Sequence, residues 1–579
     1  MTEILGPGGP LPPVPDDLTL VQFMLDERHV SRPIVPPPYT WLIEDATGRK
    51  IALDEIRNRV FGLANSLRFR WKLEEEDVVC IFSPNHVDYP VAIWALHRLG
   101  AIVTTSNPSF TANELEYQLS ITKARAIITH PFSLSVALEA AHKVGISSEF
   151  IVLFDDTSVT GARQFPNLSD LVIEGLRMSP TFIERRLRRG EGKTKLAFLS
   201  LSSGTTGRPK AVCIPHHSPI ANVIQMAHRA NSQPQPLASR PYRPGDIGMA
   251  LLPFYHIYGL VVVMHFAIFY GMTLVVIPKF NFVDMLKSIE RHRINYIPVV
   301  PPIVVLLCKH PAVKQYDLSS LRAMKSGAAP LTAEIIKQLS ETLPAMSIGQ
   351  SYGMTETCTT VTFPQVEQKI GTPGSAGRLL PGVVARVIDP DGKLLGYGQP
   401  GQLVVKSPGN ALHYLNNEQA TSETFVDGWV YTGDEVIINE QAEVFVVDRI
   451  KELMKVKGYQ VAPAELEGHL LDHPDVSDVC VVGIPDEYSG EAPLAFVVPT
   501  ASAIERMKSE PSEGGRIKAA LMKHVADVKV NYKHLAGGVE FVETIPKNPS
   551  GKLLRRFLRD HAKQLQADGK LSTVVKSKL

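Results

Sequence analysis

Residues Leu199 to Val212 read Leu-Ser-Leu-Ser-Ser-Gly-Thr-Thr-Gly-Arg-Pro-Lys-Ala-Val. The apolar run at 196–199 predicts a buried strand, and the hydroxyl residues and glycines after it predict a loop. Glycine lets backbone N–H groups approach an anion, hydroxyls add donors, and lysine adds a positive charge. The stretch therefore predicts a loop that holds polyphosphate, formed by Ser202, Ser203, Gly204, Thr205, Thr206 and Lys210.

This loop differs from a Walker loop in the order of its residues. No Gly-Lys-Ser/Thr follows Gly207, and Pro209 obstructs an immediate helix start. The stretch therefore argues against kinases and GTPases. An ordinary serine- and glycine-rich surface loop is the alternative, and the later motifs decide between the two.

Composition limits the class of protein. A chain of 579 residues is too long for one core, which predicts two or more domains. Its 60 basic and 59 acidic side chains leave a net charge of +1, which gives no indication of nucleic-acid binding. The five cysteines lack CxxC spacing, which disfavours a zinc site or a disulfide framework and favours a reducing compartment.

The chain ends in Ser577, Lys578 and Leu579, the address that the peroxisomal import receptor reads at a C-terminus. The N-terminus lacks the basic and apolar regions of a signal peptide. We therefore expect the import receptor as a partner and the peroxisome as the location.

Residues 259–278 have the length of a membrane span and carry no Lys, Arg, Asp or Glu. His265 and Gly271 interrupt the run. We therefore expect a buried helix up to Tyr270 and a buried strand at 273–277, and no transmembrane segment. A membrane helix is the weaker alternative.

Helix and strand patterns alternate twice along the chain. The first set predicts helices at 53–68, 89–99 and from 112, and strands at 78–82, 101–103 and 126–128. The second set runs from residue 246 to 326, with strands ending near 275, 300 and 326. Such alternation predicts two doubly wound parallel sheets with ligands at the carboxyl ends of their strands.

After residue 371, short strands at 383–388, 401–405 and 443–447 predict a small β-barrel-like section. Beyond residue 448 a compact α+β tail follows, with helices near 464–471 and 517–525 and strands near 479–484 and 494–498. The predicted fold is therefore α/β, with a large N-terminal domain of two doubly wound subdomains plus this section, and a small C-terminal domain.

Further motifs suit a nucleotide. The run Gln350-Ser351-Tyr352-Gly353-Met354-Thr355-Glu356 offers a ring for adenine, a hydroxyl for phosphate and a carboxylate for Mg²⁺. Small residues after Lys325 would let a flat ring lie on the backbone. The Asp434 carboxylate can accept two hydroxyl hydrogen bonds, which suits a vicinal diol.

In this order, the motifs resemble the signatures of the adenylate-forming enzymes over nearly the whole chain. This family includes acyl-CoA synthetases, 4-coumarate–CoA ligases, beetle luciferases and peptide-synthetase adenylation domains. The chain most resembles 4-coumarate–CoA ligases with a peroxisomal tail. Its Pro546-Lys547-Asn548-Pro549-Ser550-Gly551-Lys552-Leu553 is similar to the family's terminal signature. It departs from the family at Ser351, where glycine is usual.

The resemblance implies a role for each matching residue. The catalytic positions are Lys552, His256 and Lys455. ATP and AMP would contact the loop residues above together with Ala328, Gln350, Ser351, Tyr352, Gly353, Thr355, Asp434, Arg449, Lys451 and Lys552. The acyl pocket would contain Tyr258, Val262, Lys325, Gly327, Ala328, Gly353, Met354 and Phe363. CoA would contact Lys279, Lys455, Lys457, Gly458 and Gln460, and Glu356 would bind the metal.

The resemblance also implies mobile domains. Residues 1–447 would form the adenylation domain, 448–451 a hinge, and 452–579 a mobile C-terminal domain that carries Lys455 and Lys552. These two lysines lie far apart in one small domain, so we expect them on different faces. A rotation about the hinge would exchange the two faces in the site.

The implied reaction is that of an ATP-dependent acid–thiol ligase. A carboxylic acid becomes an acyl-adenylate and then an acyl-CoA thioester, releasing pyrophosphate and AMP, with ATP, Mg²⁺ and CoA required. Val262 stands where 4-coumarate–CoA ligases often have serine, so we expect aryl or medium-chain acids, with cinnamate preferred over dihydroxylated relatives. A luciferase-like oxidase and a carrier-protein loading enzyme are the alternatives.

Overall fold

The computed structural model describes residues 3–35, 39–155, 165–202, 209–233, 235–331, 333–365, 367–486, 489–547 and 551–571. The predictions for Ser203, Gly204, Thr205 and Thr206 lie outside these residues, as do those for the C-terminal tripeptide. Below, residues up to 447 are called the N-terminal part and residues from 452 the C-terminal part.

The first sheet contains the strand that leads into the polyphosphate loop. Its spatial order is His413–Tyr414, Lys210–Pro215, Leu196–Ser202, Ile102–Ser106, Val78–Phe82, Ala126–Thr129 and Ile151–Leu153. The strands from Leu196–Ser202 onward are parallel, as the alternating pattern predicts. Strand Lys210–Pro215 pairs antiparallel with Leu196–Ser202, and Ser202 lies opposite Lys210. The two residues that flank the predicted loop are therefore held side by side in the sheet.

The second sheet brings two of the predicted motifs together. Its spatial order is Ser347–Gln350, Ala323–Ser326, Tyr296–Val299, Ile247–Ala250, Thr273–Val276, Thr40–Glu44 and Lys50–Ala52. All pairs except the last are parallel. Ser326 lies opposite Gln350, so the motifs that follow these two strands emerge at the same carboxyl edge.

Helices surround both sheets. In the N-terminal part they are Leu20–Leu25, Leu53–Trp71, Tyr89–Arg98, Ala112–Thr122, Leu134–Val144, Leu168–Arg177, His217–Asn231, Ala267–Phe269, Phe282–His292, Pro301–Lys309, Ala333–Thr342 and Glu418–Thr424. The predicted helices near 53, 89 and 112 and the strands between them are confirmed, with ends shifted by a few residues.

The apolar run at 259–278 is a buried helix followed by a strand, as predicted. It forms a π-helix, Tyr258–Phe266, then Ala267–Phe269, and strand Thr273–Val276. The buried His265 has partners for both ring nitrogens, since Nδ1 lies 2.7 Å from the Leu260 oxygen and Nε2 accepts a hydrogen bond from Trp94. Among the helices in the described ranges, none combines the length and apolarity needed to span a membrane.

The barrel-like section is an antiparallel sheet. Its strands are Ile4–Leu5, Val384–Ile388, Gly401–Lys406, Trp429–Ile438, Phe425–Val426 and Val444–Arg449. Sequence patterns did not predict the strand Trp429–Ile438, whose Thr-Gly-Asp is more often a turn. The pairing of this strand with Val444–Arg449 places Asp434 opposite Arg449.

The C-terminal part is a smaller α+β unit. It contains strands Met454–Val456, Tyr459–Val461, Val476–Asp486, Gly490–Pro499 and Gly538–Phe541 and helices Pro463–Leu471, Ala501–Ser509, Glu513–Ala526 and Arg555–Ala567. Its buried apolar clusters use residues between Met454 and Leu571 and share none with the described clusters of the N-terminal part. The predicted fold class is therefore confirmed.

All five cysteines are free thiols. Cys80, Cys213, Cys358 and Cys480 are buried, and Cys308 is half-buried. Burial raises the pKa of the Cys308 thiol to about 11 and that of Cys213 to about 12. The sequence-based prediction that no disulfide framework exists is confirmed.

Candidate active site

A cavity of about 1340 Å³ receives residues from both sheets, the barrel-like section and the C-terminal part. Its lining includes most of the residues that the motifs predicted: Ser202, Lys210, His256, Tyr258, Lys325, Gly327, Ala328, Gln350, Ser351, Tyr352, Gly353, Met354, Thr355, Glu356, Asp434, Arg449, Lys451 and Lys552. Residues far apart in sequence therefore face one space large enough for a nucleotide and a second ligand.

One side of the cavity is organised around the buried carboxylate of Glu356. Its Oε1 accepts hydrogen bonds from Ser202 Oγ at 2.8 Å and from the Tyr414 hydroxyl at 2.7 Å. Lys210 Nζ lies 4.8 Å from the centre of the Tyr414 ring. Burial raises the pKa of Tyr414 and the Glu356 charge raises it further, so the phenol remains a donor. Ser202 and Lys210, which flank the predicted polyphosphate loop, thus lie near an acidic group.

A second side is organised around Asp434. Its Oδ2 accepts a hydrogen bond from the Tyr352 hydroxyl at 2.6 Å, and Arg449 Nε lies 3.0 Å from Oδ1. Asp434 is buried in the described structure, and Arg449 keeps a cation beside it. Each carboxylate oxygen can accept a second hydrogen bond, which leaves capacity for ligand hydroxyls.

Lys552 enters the cavity from the C-terminal part. Burial lowers the pKa of its ammonium to about 8, with a further lowering from Arg449, although Asp434 acts in the opposite direction. Gly551 just before it has φ of +79°, and a Cβ there would lie 3.1 Å from Val300 Cγ2. Glycine is therefore required for the loop to approach the N-terminal part this closely.

His256 is held as a neutral imidazole. Burial lowers its pKa to about 4, and the nearby Lys552 lowers it further. Its Nδ1 accepts a hydrogen bond from the Tyr258 N–H at 3.3 Å, which leaves the ring proton on Nε2. At neutral pH this ring can donate one hydrogen bond into the cavity.

A third region of the cavity, called the far end below, is formed by Tyr258, Gly327 and Lys325. The Tyr258 hydroxyl donates to the Lys325 carbonyl oxygen at 3.0 Å. Lys325 Nζ lies 4.3 Å from the centre of the Phe363 ring and has no hydrogen-bond partner among the described residues. Burial lowers the pKa of Lys325 to about 7, so this end of the cavity is only partly charged at neutral pH.

The structure does not agree with the predicted positions of Val262 and Phe363. Both side chains are fully buried and neither belongs to the cavity lining. The π-helix begins at the cavity with Tyr258 and runs into the core, so Val262, one turn later, lies beneath the surface. Phe363 packs behind Lys325. The argument that Val262 sets acyl preference is therefore corrected.

The residues predicted for CoA lie outside the cavity. Lys455, Lys457, Gly458 and Gln460 belong to one exposed hairpin, in which Lys455 is opposite Gln460. Lys457 and Gly458 form its turn with φ of 51° and 82°, the left-handed conformation of a tight hairpin. Lys279 is also exposed. The structure therefore places Lys552 in the site and this hairpin away from it.

Sequence reasoning missed the contributions of Tyr414 and of helix Pro301–Lys309 to the cavity. Tyr414 reaches Glu356 because the strand His413–Tyr414 pairs with Lys210–Pro215, a contact that spans about two hundred residues and leaves no local signal. Pro301, Pro302, Val305 and Leu306 line the cavity opposite the C-terminal part. The alternating pattern predicted a helix between the strands near 300 and 323, but it did not indicate that this helix lines the cavity.

Comparison with known proteins agrees with this geometry. The profile described as AMP-binding enzyme matches residues 35–415, and the profile described as AMP-binding enzyme C-terminal domain matches residues 465–552. The 4-coumarate–CoA ligase 2 of Oryza sativa subsp. japonica is 36% identical over 92% of this chain and 92% of its own length.

Two further similarities extend over most of the chain. The peroxisomal OPC-8:0-CoA ligase 1 of Arabidopsis thaliana is 34% identical, covering 95% of this chain and 94% of its own. The crystal structure of ATP-bound MatB from Rhodopseudomonas palustris has a TM-score of 0.78 and 26% identity, covering 95% of this chain and 99% of that one. Fold, site and sequence together show that the chain belongs to the family of AMP-binding enzymes.

Proposed function

We propose that this chain is an AMP-forming acyl-CoA ligase. It converts a carboxylic acid and ATP into an acyl-adenylate with release of pyrophosphate, and CoA then displaces AMP to give the thioester. The observation that carries the proposal is the position of Lys552. Its ammonium, from the C-terminal part, lies in one cavity with Asp434, Arg449 and Glu356 of the N-terminal part and the hinge.

A carboxylate is a poor electrophile because its charge is shared by both oxygens. The acid therefore attacks the α-phosphorus of ATP, and one carboxylate oxygen leaves later with AMP. Negative charge accumulates on the α-phosphate oxygens in this step, and a fixed cation beside them stabilises the transition state. We assign that role to Lys552. Ser202 and Lys210 flank the loop that would hold the departing phosphates.

The remaining nucleotide contacts follow from the same geometry. The ring of Tyr352 lines the cavity and offers a stacking surface for adenine. Asp434, positioned by Tyr352 and Arg449, would accept hydrogen bonds from the ribose hydroxyls. The neutral His256 would donate through Nε2 to the acid's carboxylate.

The residues present fit a magnesium ion. Both described hydrogen bonds to Glu356 reach Oε1, so Oε2 is the oxygen suited to a hard cation. Within the described ranges, no group of three or more His, Cys, Asp or Glu side chains could hold a metal by itself. This agrees with Mg²⁺, which commonly uses one or two carboxylates together with phosphates and water. When bound, it would neutralise the charge of the departing pyrophosphate.

Thioester formation requires a different orientation of the C-terminal part. The hairpin with Lys455, Lys457, Gly458 and Gln460 is exposed while Lys552 occupies the site. We propose that residues 448–451 are the hinge between domains 1–447 and 452–579. The separate apolar clusters of the two parts support a rotation as rigid bodies. Rotation would withdraw Lys552 and bring the hairpin to CoA, together with Lys279.

We propose aryl, phenylpropanoid or medium-chain acids as substrates. The support is the similarity to the rice 4-coumarate–CoA ligase and to the Arabidopsis OPC-8:0-CoA ligase. The lining of the far end also suits a ring or chain, since Tyr258, Gly327 and Met354 present carbon surface around Lys325.

The decisive experiment is ATP–pyrophosphate exchange with cinnamate, 4-coumarate, caffeate, phenylacetate and hexanoate, followed by detection of the thioester when CoA is added. We expect acid-dependent exchange and CoA-dependent thioester. A luciferase-like oxidase would be favoured if exchange were accompanied by light or peroxide production and no thioester formed. Transfer to a carrier protein but not to CoA would favour a loading enzyme.

We further propose that the protein is imported into the peroxisome through Ser577, Lys578 and Leu579, as the name of its Arabidopsis relative supports. Deleting these three residues should leave activity unchanged and move a fluorescent fusion from peroxisomes to the cytosol. Continued co-localisation of the truncated protein with a peroxisomal marker, in cells without full-length protein, would contradict the proposal.

A further inference from the structure

A lysine outside the motifs joins the two parts of the chain. Lys309 ends helix Pro301–Lys309, and its Nζ donates to the carbonyl oxygens of Leu471 at 3.2 Å and Val476 at 3.5 Å. Leu471 is the last residue of helix Pro463–Leu471. The last carbonyls of a helix lack partners within the helix and carry partial negative charge. A cation of the N-terminal part thus caps a helix of the C-terminal part.

The other end of the same helix supports the loop that carries Lys552. A Cβ at Gly551 would lie 3.1 Å from Val300 Cγ2 and 3.5 Å from Pro302 Cδ. At 1.5 Å per residue, the nine residues of helix Pro301–Lys309 separate the two contacts by roughly 12 Å. Contact at one point would let the C-terminal part pivot in any direction, whereas contacts at both ends of a helix leave only rotation about the line that joins them.

Charged groups of both parts of the chain lie near Lys309. Burial raises the pKa of the Asp472 carboxyl and the charge of Glu334 raises it further, while Lys309 acts against this. Asp472 belongs to the C-terminal part and Glu334 to helix Ala333–Thr342 of the N-terminal part. Asp472 Oδ1 is buried without a hydrogen-bond partner among the described residues. His469 and His524 lower the pKa of Asp472 more than Lys309 does, and Lys309 is the cation of the N-terminal part that acts with them against the repulsion between Asp472 and Glu334.

We propose that Lys309 is a positioning residue for adenylation. It holds the C-terminal part in the orientation in which Lys552 reaches the cavity, and it loses its contacts when that part rotates for thioester formation. The inference rests on the proposed function, because it assumes that Lys552 acts in the first half-reaction and not in the second.

The test measures the two half-reactions separately in Lys309→Met, which keeps an unbranched side chain of similar bulk and removes the ammonium group. Adenylation is followed by ATP–pyrophosphate exchange, and thioester formation by adding CoA to synthetic acyl-adenylate. We expect exchange to fall about threefold to tenfold and thioester formation to stay at or above the wild-type rate. Lys309→Arg should retain exchange, because it keeps the cation.

Two controls separate positioning from general damage. Lys314 is an exposed lysine in the 3-10 helix Pro311–Gln315, which follows the helix of Lys309. Lys314→Met should match the wild type in both half-reactions and in Tm. In a Lys552→Ala background, Lys309→Met should cause no further loss of exchange, because the group that it positions is absent.

Equal loss in both half-reactions, or an additive loss in the Lys552→Ala background, would overturn the role of Lys309. So would an exchange rate in Lys309→Met equal to that of the wild type. A wild-type enzyme that shows no exchange with any acid would instead overturn the proposed function, so the two failures are distinguishable. Salt provides a second measurement: 0.5 M NaCl should reduce exchange in the wild type more than in Lys309→Met.

Discussion

The C-terminal part presents two lysine-bearing segments that differ in almost every physical respect. The loop with Lys552 is packed against Val300, and its ammonium has a pKa lowered to about 8 by burial in the cavity. The hairpin with Lys455 is exposed, and the backbone N–H of Lys455 donates to Glu491 of its own part at 2.6 Å. Lys552 lines the cavity and Lys455 does not, which is the arrangement that the proposed mechanism assigns to adenylation.

The largest effect is expected from Lys552→Ala. Loss of a fixed cation at the α-phosphate should lower ATP–pyrophosphate exchange by about two to three orders of magnitude. Thioester formation from synthetic acyl-adenylate should continue, because the docked loop takes no part in it. Equal loss in both measurements would contradict the assignment of the two segments to different half-reactions.

Gly551→Ala should damage the docked segment next most strongly. The new Cβ would crowd Val300, and the alanine would have to adopt a φ of +79°. Because this displaces Lys552, exchange should fall about thirtyfold. Gly569→Ala is the matched control: its φ is +67°, but a Cβ there meets nothing within 4 Å. Similar exchange rates in the two variants would show that contact with Val300 is unimportant.

Lys455→Ala tests the undocked segment. Thioester formation should fall about tenfold through loss of one charge-assisted contact with CoA, while exchange stays unchanged. Lys508 is an exposed lysine on helix Ala501–Ser509, and Lys508→Ala should change neither thioester formation nor exchange. A fall in exchange on Lys455→Ala would remove the distinction between the two segments.

The smallest effect concerns pH. Since the lowered pKa of Lys552 is about 8, the fraction that carries the cation falls as pH rises through this value. The kcat/KM for ATP in the exchange reaction, which reports the free enzyme, should be about half its maximum at pH 8. Lys552→Arg stays charged, so its slower exchange should not decline over this range. An unchanged decline in that variant would assign the titration to another group.

Much of the fold could be predicted because its signals are local. The alternating patterns predicted the parallel strands at 78–82 and 126–128 of the first sheet. Ser202 and Gln350 each end a parallel strand, so both lie at the carboxyl edge of their sheet. Residues whose position depends on distant pairing could not be predicted. Tyr414 reaches Glu356 only through a strand pairing, and Lys309 acts only across the interface between the two parts.

The error at Val262 has a different physical cause. The family resemblance implied that Val262 lines the acyl pocket with Tyr258. The π-helix that carries both residues starts at the cavity and continues into the core, so only Tyr258 reaches the lining. That direction is set by packing of the π-helix against helix His217–Asn231 and the sheet strands, which no local pattern records.

The burial of the cysteines has a consequence for oxidative damage. Peroxide attacks the thiolate form, and a thiol whose pKa is raised to about 11, as at the half-buried Cys308, is almost entirely protonated at neutral pH. The other four thiols are also shielded from solvent. We therefore expect sulfenic acid to form slowly at these cysteines when the protein is exposed to hydrogen peroxide.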